Sequence, residues 1–199
     1  MAQLSPWPEA LGFTTGALCV WLAAISDPLT WPVGIANNLL YFVIFWQSGL
    51  FADSALQLVY VAISIYGIWR WRSGPAAIRP VARTPTAEWL ALGAIGLVAC
   101  SALGWFLDTH TPSTVPWADA ATTVMSLGGQ WLMSRRYLEN WALWIVVDLL
   151  YIPLYLHKDL ALTAALYTVF LALCLKGLLG WKNELRRALR VGREGEGSG

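Results

Sequence analysis

Charged residues are scarce in this sequence. They make up 13% of its 199 residues, whereas ordinary globular chains carry about 25%. Hydrophobic residues make up 57%, and the mean hydropathy is +0.54. A soluble fold of this size needs more polar surface than this composition supplies. The sequence therefore predicts an integral membrane protein that is in contact with the lipid bilayer.

Cysteine is also rare, and metal-ligand spacings are missing. Cys19, Cys100 and Cys174 all lie in apolar runs, and an odd number without loop cysteines argues against a disulfide framework or a zinc site. The sequence contains no glycine-rich phosphate loop and no nucleophile motif. We therefore expect no metal, no cofactor and no catalytic residue. A membrane-embedded enzyme is a weak alternative, because Asp148 is the only acid deep inside an apolar segment.

Seven segments are apolar enough to be considered membrane spans, since a helix needs about 20 residues to cross the hydrocarbon core. Their predicted bounds are Ala10–Ile25, Pro32–Trp46, Ala52–Trp71, Trp89–Leu107, Ala118–Met133, Trp141–Leu156 and Leu160–Trp181.

Twelve of the thirteen basic residues fall on one side of these spans, and only Lys158 falls on the other. Because basic loops stay in the cytoplasm, this bias predicts an outside N-terminus and a cytoplasmic C-terminus. We expect the basic tail to anchor at the membrane surface rather than to bind nucleic acid, and its final EGEGSG to be disordered. The twelve residues are Arg70, Arg72, Arg79, Arg83, Arg135, Arg136, Lys176, Lys182, Arg186, Arg187, Arg190 and Arg193.

An internal repeat appears when the second half of the sequence is aligned with the first. In a single register without a gap, Trp21 coincides with Trp131, Trp31 with Trp141, Tyr41 with Tyr151, Gly67 with Gly177, and Trp71 with Trp181. Each copy holds three spans, and the fourth span links them, so the second copy enters the membrane in the same direction as the first. Parallel repeats of this kind are typical of transporters with a substrate site near the midplane.

The predicted fold is therefore an all-α membrane protein with two parallel three-helix repeats joined by a linker helix, a 3+1+3 arrangement. The repeats are predicted at residues 1–74 and 111–184, the loop and linker at 75–110, and a disordered basic tail at 185–199. The predicted function is small-molecule transport. A membrane receptor or scaffold is the alternative from another class, although neither explains such a repeat.

Polar and aromatic side chains recur at matching places within the spans of both repeats. Indole rings attract flat cations, and amides and carboxyl groups suit carboxamides and ribose hydroxyls. The alternative is that these groups bond one another between helices. As a lone buried acid, Asp148 also leaves proton coupling open. The candidate substrate-binding residues are Asn37, Asn38, Tyr41 and Gln57 in the first repeat, and Gln130, Trp141, Trp144, Asp148, Tyr151 and Tyr167 in the second.

The region from Trp31 to Trp71 resembles the PnuC family of bacterial vitamin transporters. The resemblance is carried by Trp31-Pro32-Val33-Gly34, Leu50-Phe51-Ala52-Asp53, Gln57, Tyr66-Gly67 and Trp71 in the first repeat. In the second repeat it is carried by Gln130, Arg135-Arg136, Glu139, Trp141, Trp144 and Asp148.

This resemblance implies a seven-helix SWEET-like fold, a homotrimer, and a place in the bacterial inner membrane. It also implies facilitated diffusion of nicotinamide riboside, with uptake driven by phosphorylation inside the cell. Relatives of this fold carry thiamine, riboflavin or deoxynucleosides, and these substrates stay open at this point.

Overall fold

The computed structural model describes residues 6–47, 51–72, 79–111, 113–157 and 161–196. Within these ranges the chain forms seven helices, as predicted, and the bounds of the first six differ from those of their apolar segments by only a few residues. The helices are α1 (Pro6–Ala24), α2 (Thr30–Gln47), α3 (Phe51–Arg72), α4 (Thr86–His110), α5 (Pro116–Ser134), α6 (Asn140–His157) and α7 (Ala161–Glu196).

The last helix is longer than predicted. The tail from residue 185, which we expected to be disordered, continues α7 as far as Glu196. The segment after Trp181 is rich in Lys, Glu, Leu, Arg and Ala, which all favour helix, so the helix does not stop where the apolar run stops. Residues 197–199, the end of the EGEGSG segment, lie outside the described residues, as does Lys158.

The helix bounds repeat in the register that places Trp31 on Trp141. In this register both ends of α5 coincide with the ends of α1, and both ends of α6 coincide with the ends of α2. The start of α7 coincides with the start of α3. The two repeats therefore match in their helix bounds as well as in the positions of their tryptophans.

The turns that end α1 and α5 repeat as well. Ser26 and Arg136, which coincide in the same register, have positive φ angles of 60° and 57°. In the first turn Ser26 N–H donates to Ala23 O and the next N–H donates to Leu22 O. Arg136 N–H donates to Met133 O in the same way, and the N–H after it donates to Leu132 O. This is the Schellman pattern of helix ends, in which the left-handed position is commonly glycine.

Contacts divide the chain into two compact units. One comprises Met1–Pro80 with Lys176–Gly199, and the other comprises Val81–Leu175. In the first unit α1 packs on α2 and α2 packs on α3, whereas in the second α4 packs on α5 and α5 packs on α6. Helix α7 contributes its first part to the second unit and the rest to the first.

Three tryptophans form the core of the first unit. The rings of Trp31 and Trp71 meet edge to face at 5.3 Å between centroids, and those of Trp71 and Trp181 lie 5.9 Å apart. All three are at most 1% exposed. Trp181 Nε1–H donates to Ala23 O at 3.0 Å, which ties the last helix to the end of α1. Gly67 lies directly against the Trp31 ring.

A short extended segment before α4 packs on the turn between α5 and α6 in the second unit. Ala82 N–H donates to the carbonyl of residue 136 at 3.0 Å, and Leu138 N–H donates to Ala82 O at 2.9 Å. The backbone N–H and hydroxyl of Thr84 both donate to Glu139, at 2.9 and 2.8 Å. Arg83 pairs with the other Glu139 oxygen at 3.2 Å. These contacts attach the entry of α4 to the second helix pair.

Several helices present apolar surface to the outside. Thr86–His110 and Ala164–Arg190 are long and apolar enough to cross a membrane, and Leu11–Ala24 and Asn140–Leu154 are shorter apolar helices. In α4, Leu97 is 71% exposed and Leu90 and Val98 are each 70% exposed. A helix face of this kind needs an apolar surrounding such as lipid.

Candidate functional site

In the first unit, two predicted site residues hold α2 against α1. The Asn37 amide donates to Gly12 O and to Thr15 Oγ1, both at 2.8 Å. Tyr41 covers Gly12 so closely that a Cβ added there would lie 2.6 Å from Tyr41 Oη. The Asn37 amide is thus bonded between helices, the alternative considered for such groups in the sequence. Asn38, the next residue along, is half-buried on α2.

The other predicted residue of the first unit, Gln57, is half-buried on α3. In the second unit, Gln130 on α5 is also half-buried and Trp141 on α6 is only 1% exposed. Trp141 occupies the core position that Trp31 occupies in the first repeat, so its ring packs inside the protein.

The second unit brings four groups together on α5, α6 and α7. Tyr151 O–H donates to Thr122 Oγ1 at 3.1 Å. The Tyr151 and Tyr167 rings lie 4.9 Å apart at 47°, and Phe170 meets Tyr167 edge to face at 5.7 Å. The hydroxyl bond fixes Tyr151 on one side and the ring contact fixes it on the other, giving a rigid aromatic surface.

Asp148 lies one turn before Tyr151 on the same face of α6. It is 4% exposed, as is Cys174 of α7, whose side chain forms a hydrogen bond with the carboxyl group. One carboxyl oxygen, Oδ2, is buried and has no hydrogen-bond partner among the described residues by distance and angle. A buried carboxyl oxygen without a partner is costly. We call Asp148, Cys174, Tyr151, Tyr167 and Thr122 the Asp148 cluster.

Trp144, another predicted residue, packs against α5. A Cβ added to Gly129 would lie 3.1 Å from Trp144 Cε2 and Nε1, so the indole occupies the space that the glycine leaves. The corresponding contact in the first repeat has the sizes reversed, since a Cβ on Gly34 of α2 would lie 3.2 Å from Cys19 Sγ of α1. The two helix pairs therefore pack in the same register. The glycine is on α5 in the second repeat and on α2 in the first, and the larger residue is on the facing helix.

The comparison with known families shows which family this chain belongs to. Residues 6–183 match the family described as "Nicotinamide mononucleotide transporter". The chain belongs to this transporter family.

Relatives of this transporter cover almost the whole chain. The nicotinamide riboside transporter PnuC of Escherichia coli is 26% identical over 207 residues, which cover 90% of this chain and 87% of that protein. The riboflavin/roseoflavin transporter RibM of Streptomyces davaonensis is 28% identical, with 95% and 91% covered. A crystal structure of the vitamin B3 transporter PnuC superposes with a TM-score of 0.73 at 28% identity, covering 92% of this chain and 83% of that one.

These relatives confirm the resemblance to the PnuC family noted in the sequence. They are transporters by name, so this chain is a transporter and not an enzyme. The chain is accordingly a helical membrane protein. Within the described residues there is no group of three or more His, Cys, Asp or Glu side chains that could hold a metal ion.

Two members of the Asp148 cluster were not predicted from the transporter's sequence. Cys174 was interpreted as a small apolar residue, and Thr122 was not considered. Thr122 corresponds to Gly12 in the repeat, and Tyr151 corresponds to Tyr41. The repeat register therefore contained a usable signal, because the Gly12–Tyr41 contact of the first helix pair becomes the Thr122–Tyr151 hydrogen bond of the second.

Proposed function

We propose that this transporter carries nicotinamide riboside across the bacterial inner membrane. The observation that carries the proposal is Asp148, a buried carboxyl group one helical turn from the paired Tyr151 and Tyr167 rings, with one oxygen that has no partner among the described residues. A flat cationic ring can pair with the carboxylate and pack on the aromatic surface. The pyridinium of nicotinamide riboside has this chemistry, and its carboxamide matches the hydrogen-bonding groups of an amide side chain such as Gln130, which belongs to the same unit as Asp148.

The same observation separates the riboside from two rivals. Riboflavin, the substrate in the name of the Streptomyces relative, has no cationic ring to offset the charge of Asp148. A mononucleotide carries a phosphate that a nearby carboxylate repels, and the candidate residues include no basic side chain. Thiamine is also an aromatic cation, so only a direct comparison separates it from the riboside.

The proposed architecture has two parallel three-helix repeats, residues 1–74 and 111–184, joined through 75–110 in a SWEET-like 3+1+3 arrangement. The repeated helix bounds and the repeated Schellman turns support it. The proposed mechanism is alternating access of these repeats, with net uptake driven by phosphorylation of the substrate inside the cell. The proposed assembly is a homotrimer with the N-terminus outside and the C-terminus in the cytoplasm.

The first test is binding to the purified transporter in detergent, followed by tryptophan fluorescence. Nicotinamide riboside, its mononucleotide, thiamine and riboflavin are titrated against the wild type and Asp148→Asn. We expect the variant to lose about 30-fold or more in riboside affinity, because removing one partner of a buried charge pair costs about 2 kcal/mol or more. Asp108→Asn, which neutralises an exposed acid at the end of α4, is the matched control.

A stability measurement separates a binding role from a structural one. Asp148→Asn keeps the shape of the side chain and removes a charge that has no ionic partner within the described part of the chain, so we expect its thermal stability to equal or exceed that of the wild type. Unchanged riboside affinity in a folded Asp148→Asn protein would contradict the proposal. Preferential binding of riboflavin or of the mononucleotide by the wild type would replace the substrate.

Transport itself is tested in proteoliposomes. Facilitated diffusion predicts riboside counterflow that does not respond to an imposed pH gradient. Uptake that rises with an inward proton gradient and loses this response in Asp148→Asn would instead show proton coupling through this residue.

A further inference from the structure

An apolar groove runs along the contact between α4 and α5. Its volume is about 430 Å³, and it is lined by α4 from Trp89 to Cys100, by α5 from Ala121 to Trp131, and by Leu143 of α6. It lies in one unit and involves none of the candidate substrate-binding residues. Its walls are formed almost entirely by apolar side chains and glycines.

The groove exists because glycines replace side chains along it. A Cβ added to Gly93 of α4 would meet nothing within 4 Å, and one added to Gly96 would reach only Val124 Cγ1, at 3.6 Å. On the opposite wall, a Cβ on Gly128 would touch Leu143 Cδ1 at 3.4 Å. The space is therefore open to an external group and is not filled by the protein itself.

The length of the groove matches one lipid chain. From Trp89 to Cys100 the helix rises about 16 Å at about 1.5 Å per residue, which is about half of a hydrocarbon core of roughly 30 Å. A hydrocarbon chain of one leaflet spans the same distance, and the apolar lining of the groove suits it.

One end of the groove is polar. Trp131, which lines it, donates its Nε1–H to Glu88 at 2.9 Å. Arg135 pairs with the same carboxylate at 3.3 Å, and its guanidinium lies 5.5 Å from the centroid of the Trp131 ring. The Arg135 side chain keeps 25% of its surface exposed. Trp89, also at this end, is 38% exposed, and tryptophans at this level are typical of the membrane interface.

We propose that the groove binds one phospholipid, whose acyl chain lies between α4 and α5 and whose phosphate meets Arg135. The planar guanidinium group presents several N–H donors suited to phosphate oxygens. It lies over the Trp131 ring, and Trp131 lines the end of the groove. In the orientation proposed above, the lipid belongs to the cytoplasmic leaflet. The bound chain covers glycine backbone that would otherwise face loosely packed lipid tails.

The test is native mass spectrometry of the intact purified transporter in detergent, with palmitoyl-oleoyl phosphatidylglycerol added in steps. Gly93→Phe places a ring in the groove from a position where an added Cβ meets nothing within 4 Å, so we expect its adducts to fall to the background level. Ala94→Phe adds the same bulk at the next position of α4, outside the groove lining, and we expect it to bind lipid like the wild type. Equal binding by the two variants would overturn the groove as the site.

The headgroup contact is tested in the same assay with a second pair of variants. Arg135→Gln is expected to weaken phosphatidylglycerol binding about fivefold, since a basic side chain near a lipid surface contributes about 1 kcal/mol. Arg83→Gln removes a basic residue that is also ion-paired, to Glu139, and is expected to have no effect. Equal losses in both variants would overturn the role of Arg135. A change of oligomeric mass in Gly93→Phe with unchanged lipid binding would overturn the proposal in favour of contact between copies.

Discussion

Replacing Gly67 by alanine is expected to destabilise the transporter, because this glycine lies against a tryptophan that has no room to move. The added Cβ would lie 2.7 Å from three atoms of the Trp31 ring, Cε2, Cζ2 and Cη2. Trp31 is 1% exposed and meets Trp71, which in turn meets Trp181. Relief of the clash must therefore displace the whole tryptophan core, and overpacking of this kind costs about 1–3 kcal/mol.

Gly93→Ala is the matched control for this substitution. Gly93 is also inside a helix, but its added Cβ meets nothing within 4 Å. Because Gly93 lines the proposed lipid groove, both variants are compared in detergent without added lipid. Both variants gain a similar helix preference of about 1 kcal/mol, so the difference between them isolates the packing cost. For a chain of this size, we expect Gly67→Ala to melt about 2–12 °C below Gly93→Ala.

The assay is the loss of monodisperse protein after heating in detergent, read by size-exclusion chromatography, because membrane proteins commonly unfold irreversibly. All comparisons use one heating rate. A Gly67→Ala protein as stable as Gly93→Ala would refute the reasoning, since it would mean that the tryptophan core yields to an extra methyl group without cost.

Two further predictions concern single hydrogen bonds. Thr122→Val removes the partner of the Tyr151 hydroxyl, and we expect riboside affinity to fall about fivefold (about 1 kcal/mol). Thr123→Val is the control and should keep its affinity, and equal losses in both variants would contradict a positioning role. Trp181→Phe leaves Ala23 O without its indole donor, and we expect a loss of about 1–3 kcal/mol in stability, measured as the same melting shift. An unchanged melting point would show that this bond contributes nothing.

The helices could be predicted from the sequence because hydropathy is a local property. The apolar run from Trp141 to Leu156 differs from helix α6 by a single position at each end. The prediction failed at the tail, where charged helix formers continue α7 to Glu196. Hydropathy detects where apolar residues end, and the helix there is maintained by intrinsic preference instead.

The candidate site was only partly predictable, since helix rotation and partner choice depend on distant residues. Asp148 was identified as a buried acid from its place in an apolar segment, but its hydrogen bond with Cys174, on the next helix, was not. Asn37 was predicted as a site residue together with Asn38. The structure shows that its amide is bonded to α1, and nothing in the local sequence distinguishes the two neighbours.

The sequence by itself determined that the chain belongs in a membrane, that its two halves repeat in one register, and that it resembles PnuC transporters, because these properties are written in composition and linear spacing. Only the tertiary structure decided which polar groups are bonded between helices and which are left without a partner. It also decided that Gly129 receives Trp144 and that the glycines of α4 and α5 leave an open groove. These outcomes depend on how side chains from separate helices meet, and linear spacing does not specify those contacts.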